Sequence, residues 1–120
     1  MTRVVALVPD LLFGSRVQGA LLAAGHEVEL VADADAVRDR ITDEAGAAVL
    51  VVDLTNDDLD GAGVVESLAG EGALSQMRTL GFYSHVDARA RERAQLAGFD
   101  LVVPRSRMAR EAPELVARLS

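Results

Sequence analysis

The chain has 120 residues, half of them apolar and only 3% aromatic, so it fits one domain whose core must be built from Val, Leu and Ala. A formal net charge of −7 argues against a nucleic-acid or anionic-membrane surface, and the absence of cysteine excludes disulfides and thiolate metal sites. No apolar run approaches the ~20 residues of a membrane span, and Met1-Thr2-Arg3 leads into a strand-like run without a cleavable-signal pattern, so a cytoplasmic location is expected.

Arg3 to Val8 reads as the first strand, ended by Pro9-Asp10. Residues 11–24 read as a helix with Phe13, Val17, Leu21 and Ala24 on one face. Gly14 and Gly19 weaken that helix, and either permit close packing or mark a late start; Gly25 is a natural C-terminal stop. His26 to Ala32 alternates as a second strand. Asp33 or Asp35 can cap a second helix over 34–45, with Ala34, Val37, Ile41 and Ala45 inward and Gly46 closing it.

Ala47 to Val52 is an apolar, β-branched run of the kind buried on both faces of a parallel sheet, and Asp53 follows it directly. An acidic turn then ends in Asp60-Gly61, ahead of a third helix over 61–69 and a flexible Gly70-Glu71-Gly72 end. Arg78 to Ser84 is a fourth strand interrupted by Gly81. Asp87 to Ala97 is a fourth, Ala- and Arg-rich helix stopped by Gly98. Leu101 to Val103 is a short fifth strand ended by Pro104. The last segment, 106–119, is helical in its spacing, with Pro113 either starting the helix proper or bending it.

Five β/α units in strict alternation imply a parallel sheet with helices on both faces and right-handed crossovers. Units of about 24 residues suggest a flavodoxin-like three-layer α/β/α sandwich with strand order 2-1-3-4-5. The β/α alternation is the only repeat, no linker is visible, and residues 1–120 are expected to form a single stand-alone domain. Ligands in such a fold sit beyond the carboxyl ends of the strands, where Asp10 follows strand 1 and Asp53 follows strand 3. Two carboxylates there could hold a hard divalent cation.

Over essentially its whole length the layout resembles the CheY-like receiver domain of bacterial response regulators. That family has an acidic pair after strand 1, a phospho-accepting Asp after strand 3, a Thr or Ser at the end of strand 4 and a Lys-Pro at the end of strand 5. Its Asp-Gly closing the loop after the acceptor matches Asp60-Gly61 at the same spacing. The resemblance implies Asp53 as phospho-acceptor, Asp10 as the second acid, the backbone carbonyl of Thr55 as a further Mg²⁺ ligand, and Ser84 as the switch hydroxyl.

The departures lie at the site itself. Pro9 replaces the first acid, and Asp57 stands where the loop usually has Pro. Counted without gaps from Gly98, Arg105 and Ser106 replace Lys-Pro and Val102 replaces a common aromatic; with the prolines aligned, Val103 replaces the Lys. Phosphoryl transfer to a carboxylate needs charge neutralisation and positioning. Losing an acid weakens a Mg²⁺ site, and a planar guanidinium cannot put a point charge where an ammonium sat. Arg105 could instead hold Asp53 or a phosphate in a bidentate pair, and the expectation is an atypical receiver in which phosphorylation of Asp53 is weak or absent and an Asp53–Arg105 contact fixes the state of the switch.

Blander readings stand beside these. Asp53 can merely end a strand, Asp10 can be an N-cap, His85 a surface residue, and Asp57-Asp58-Asp60 a solvated turn. Arg89, Arg91 and Arg93 read as a solvated helix face within an arginine-rich C-terminal third, opposite in sign to the acidic remainder. Ser84, His85 and Asp87 are too close together for a hydrolase triad, no G-x-S-x-G or Walker loop occurs, and Gly61-Ala62-Gly63 lacks a third glycine. A non-enzymatic docking module is therefore expected, binding a kinase or effector protein through helix 4, strand 5 and helix 5, or forming a homodimer. The alternative is a small-ligand binder of flavin or cobalamin type. Residues 25–35 resemble cobalamin-binding domains, but Asp10 to Gly14 lack the axial His, and Phe13-Gly14-Ser15 give only part of a flavin site. A small enzyme is the third reading, since only Asp10, Asp53, Ser84 and Arg105 converge.

Overall fold

The computed structural model describes residues 2–41 and 46–120. Five strands and five helices alternate: β1 Arg3–Leu7, α1 Leu11–Ala23, β2 Glu27–Val31, α2 Ala34–Ile41, β3 Val49–Asp53, α3 Gly61–Gly70, β4 Arg78–Tyr83, α4 Ala88–Ala97, β5 Leu101–Pro104 and α5 Arg105–Leu119. The Ala45 end expected for α2 lies outside the described residues. All strand pairs are parallel and the order is β2-β1-β3-β4-β5, as the alternation predicted.

Burial follows position in the sheet. Every residue of central β3 is buried, whereas edge strand β2 is only partly covered. Alternate residues feed two aliphatic layers. Val51, Leu80, Phe82 and Val103 face α1 and α5, where Val17, Leu21, Met108 and Leu115 meet them. Leu7, Leu50 and Val52 face the other way, toward Val37, Val65, Leu68 and Ala94 of α2, α3 and α4.

Helix starts are set by acids. Asp10, Asp33, Asp60 and Asp87 each accept a backbone N–H of the first turn of the helix that follows, a contribution of about 1 kcal/mol per cap. Asp60 does so from a left-handed backbone, φ 48°. Gly61 then begins α3 directly on β3. A Cβ there would stand 2.6 Å from Val52 Cγ1 and 3.0 Å from the Asp53 carbonyl oxygen. Gly81 is the counterpart in β4: a Cβ would stand 2.7 Å from Leu54 Cδ1 and 2.9 Å from the Phe99 ring. The strand is thus not interrupted by Gly81; the missing side chain is the space that Leu54 and Phe99 fill.

α5 is two helical pieces that meet in a kink, where Glu111 leaves the helical region at φ −128°, ψ 18°; Pro113 follows two residues later, in the first turn of the second piece, where its missing N–H has no helical partner to lose. β4 ends on Tyr83, which pairs with Pro104 across the ladder and is the only tyrosine of a chain without tryptophan.

Candidate functional site

The parallel register sets the site. Asp53 pairs with Phe82, and Phe82 with Val103, so β3, β4 and β5 end level with one another. Two residues beyond Phe82 and Val103 stand Ser84 and Arg105. Together with Asp10, Phe13, Arg16, Thr55, His85 and Ser106 they line a cleft of about 530 Å³ at the carboxyl end of the sheet. The structure therefore brings Asp10, Thr55, Ser84 and Arg105 around one opening. Asp53 lies beneath it and is not among the lining residues.

Asp53 is only 3% exposed. Its Oδ1 accepts the Thr55 amide at 2.7 Å and the Thr55 hydroxyl at 2.6 Å. Thr55, expected to offer its carbonyl to a cation, donates both its amide and its hydroxyl to the carboxylate. Asp10 is the N-cap of α1: its Oδ1 accepts from Leu12 N at 3.0 Å and Phe13 N at 3.1 Å, while its Oδ2 accepts from Arg105 Nη2 at 3.4 Å.

The expected Asp53–Arg105 contact is not made. Arg105 begins α5, one residue past the strand, and its guanidinium lies 4.1 Å over the Phe13 ring. Phe13 in turn rests on Phe82, with ring centroids 5.0 Å apart. The ring face and the exposed edge of Asp10 are what the guanidinium reaches first, and Asp53 is already hydrogen-bonded under Thr55. A cation over a ring contributes about 0.5–1 kcal/mol at an exposed site, and an exposed ion pair about 0–1 kcal/mol. At the level of Asp53, β5 offers Val103, 1% exposed inside the apolar layer. Neither placement of the family's lysine thus puts an ammonium beside the carboxylate.

Of the expected ligands for a divalent cation, Asp10 accepts from the helix cap and from Arg105, Asp53 accepts from Thr55 through Oδ1, and Pro9 adds no carboxylate. Among the described residues no three His, Cys, Asp or Glu side chains gather into a metal-binding group.

The acidic loop points elsewhere. A second cavity, about 270 Å³, opens between the starts of α3 and α4 and is lined in part by Asp57, Asp60, Asp87 and Arg93. Arg93 donates to Asp60 and, at 3.3 Å, to Glu66, bracing α4 against α3. The Arg93 hydrogen bond is the main cause that holds the Asp60 carboxyl below the usual carboxylate range. A depressed carboxylate adds stability that is present above its unfolded pKa and is lost as pH falls through the folded value. Arg93→Gln is therefore expected to return Asp60 toward ordinary carboxylate titration and to remove that small acid-side loss. An NMR titration of the Asp60 carboxyl, with acid unfolding in parallel, checks both; the energy stays small because the pair is exposed.

Sequence reasoning missed Arg16 and the second role of Phe13. Both follow from helix spacing: Phe13 and Arg16 are one turn apart and project near the capping Asp10. No helix of the described residues is long and apolar enough to cross a membrane.

No protein-family model matches the sequence, and no curated protein does. Solved structures do match in fold: the chain has the CheY-like receiver fold of response regulators. The chemotaxis response regulator CheY4 of Vibrio cholerae superposes with TM-score 0.84 at 17% identity, over 100% of this chain and 99% of its own. A putative response regulator from Chloroflexus aurantiacus gives 0.86 at 16%, over 98% and 96% of the two chains. The receiver domain of the Francisella response regulator 1452 gives 0.84 at 14%, over 99% and 96%.

Proposed function

We propose that this chain is a receiver-type signalling module that passes its state to a protein partner, and that phosphorylation of Asp53 is weak or absent. The observation that carries this reading is the setting of Asp53. It is buried and held by Thr55, and the nearest candidate for a phosphate-stabilising cation is turned to Asp10 and Phe13. An in-line transfer would have to reach a buried carboxylate and recruit Arg105 before charge could be neutralised. In this reading the module is a single domain without chemistry of its own. Its output face is α4, β5 and α5, where Val86 and Leu96 stand exposed beside and on α4.

Intact mass after incubation with acetyl phosphate and Mg²⁺, on wild type and Asp53→Asn in parallel, tests it. No phosphoryl adduct on either protein is the expected result. A stoichiometric, Mg²⁺-dependent adduct on wild type alone would make Asp53 a working acceptor and remove the second half of the proposal.

A further inference from the structure

Compared with α1, α3 and α5, α4 puts little into the core. α1 buries Phe13, Val17 and Leu21, α3 buries Val65 and Leu68, and α5 buries Met108, Leu115 and Val116. α4 buries Ala94 alone, with Ala90 and Ala97 partly covered beside it. Its one large apolar side chain, Leu96, is 90% exposed. The space beneath its first turn is not filled, since Leu54, Ala62 and Ala90 line the cavity of about 270 Å³ between the starts of α3 and α4. An element with few buried apolar contacts is the kind that opens while the rest of a domain stays folded.

What reaches across is Arg93. Its guanidinium donates to both carboxylate oxygens of Asp60 and, at 3.3 Å, to Glu66. Asp60 caps α3 and Glu66 lies within it, so one α4 side chain is tied to α3 at two points. We infer that α4 is a latched helix. It opens as one unit while the sheet and the other helices stay folded, and the bridge from Arg93 to Asp60 and Glu66 sets how often. Both helix ends are closed, by Asp87 on the Ala90 amide at 3.1 Å and by Gly98 at φ 96°, which favours release as a unit over fraying. Its 10 residues are too few to stay helical alone in water, so the released segment loses its hydrogen bonds. Asp60 ends the acidic loop that follows Asp53, so a movement of that loop loosens α4. That a partner senses the opening rests on the reading of α4 as part of the output face; the opening itself does not.

The experiment is native-state amide exchange of the ¹⁵N-labelled chain at low urea, with no partner and no phosphate, so its result is independent of the acetyl phosphate test. After correction for intrinsic rates, amides of residues 92–97 should exchange at least about a hundredfold faster than Val51 of β3 and Leu115 of α5. They should also depend little on urea, because opening one helix exposes little surface.

Arg93→Gln should speed the α4 amides about twofold to fivefold, the range of an exposed ion pair. Global unfolding, read at Val51, should rise by the same factor, since the bridge is broken in both openings. Asp60→Asn keeps a capping side chain that tolerates the left-handed backbone; it should speed α4 about twofold and add nothing in the Arg93→Gln background. Arg91→Gln makes the same charge change on α4 at a residue with no ion pair among the described residues, and should leave the exchange unaltered. Exchange of α4 no faster than at Val51, or with the same urea slope, would overturn the inference. So would an Arg93→Gln effect that speeds Val51 and spares α4, one no larger than that of Arg91→Gln, or simple addition of the Asp60→Asn and Arg93→Gln effects.

Discussion

Phe82→Ala is expected to lower folding stability by about 3–5 kcal/mol, the usual cost of truncating a buried aromatic. Against a typical total of about 5–15 kcal/mol for a domain, that is a large share. Three contacts meet at this residue. Its ring is fully buried between α1, α5 and the sheet and packs at a tilt against Phe13. Its carbonyl accepts the Leu54 amide at 2.9 Å, carrying the ladder past Asp53. Through Phe13 it supports the guanidinium of Arg105. Urea unfolding should show a lower midpoint with an unchanged slope. A loss under about 1 kcal/mol would mean that the site can collapse onto the vacancy, contrary to the close packing described.

Gly61→Val is the second large effect, a loss of about 1–3 kcal/mol from overpacking. The added carbon would meet Val52 Cγ1 at 2.6 Å and the Asp53 carbonyl oxygen at 3.0 Å. The second contact is backbone, at the residue that ends β3, so relief requires α3 to lift from the strand. Gly19→Ala is the matched control in α1, where nothing lies within 4 Å of the new carbon. There helix propensity acts alone and should stabilise by about 0.5–1 kcal/mol. Opposite signs at the two glycines, read by thermal and urea unfolding, would separate close approach from propensity; equal signs would remove the packing argument.

The fold was legible because it is written in periodicity. Apolar runs such as Val49 to Val52, each followed by a helical stripe and a glycine or proline stop, leave one architecture when they alternate five times. Strand ends were off by one or two residues, as at Ala47, Ser84 and Pro104, where the alternation does not say which residue makes the last ladder bond. The site was half legible. Asp10 was singled out by its place after a strand, and Thr55, Ser84 and Arg105 by the resemblance to receiver domains, and topology brings them to one cleft. Their pairing was not, because a long arginine chooses among neighbours by distance and desolvation. Arg105 took the Phe13 face and Asp10 rather than Asp53, and that choice depends on where α1 and α5 start in space. Arg16 escaped notice since a lone arginine on a helix reads as solvated until a cavity appears beside it.

Tyr83 has a practical consequence. It closes β4, buried, one residue before Ser84 on the cleft rim and across the ladder from Pro104. With no tryptophan and no second tyrosine in the chain, the near-ultraviolet absorption and emission of the unlabelled protein come almost wholly from this one phenol. The molecule therefore carries an optical reporter at the mouth of its sheet. Any ligand, partner or substitution that rearranges the ends of β4 and β5 can be followed by light, without a dye and without altering a residue.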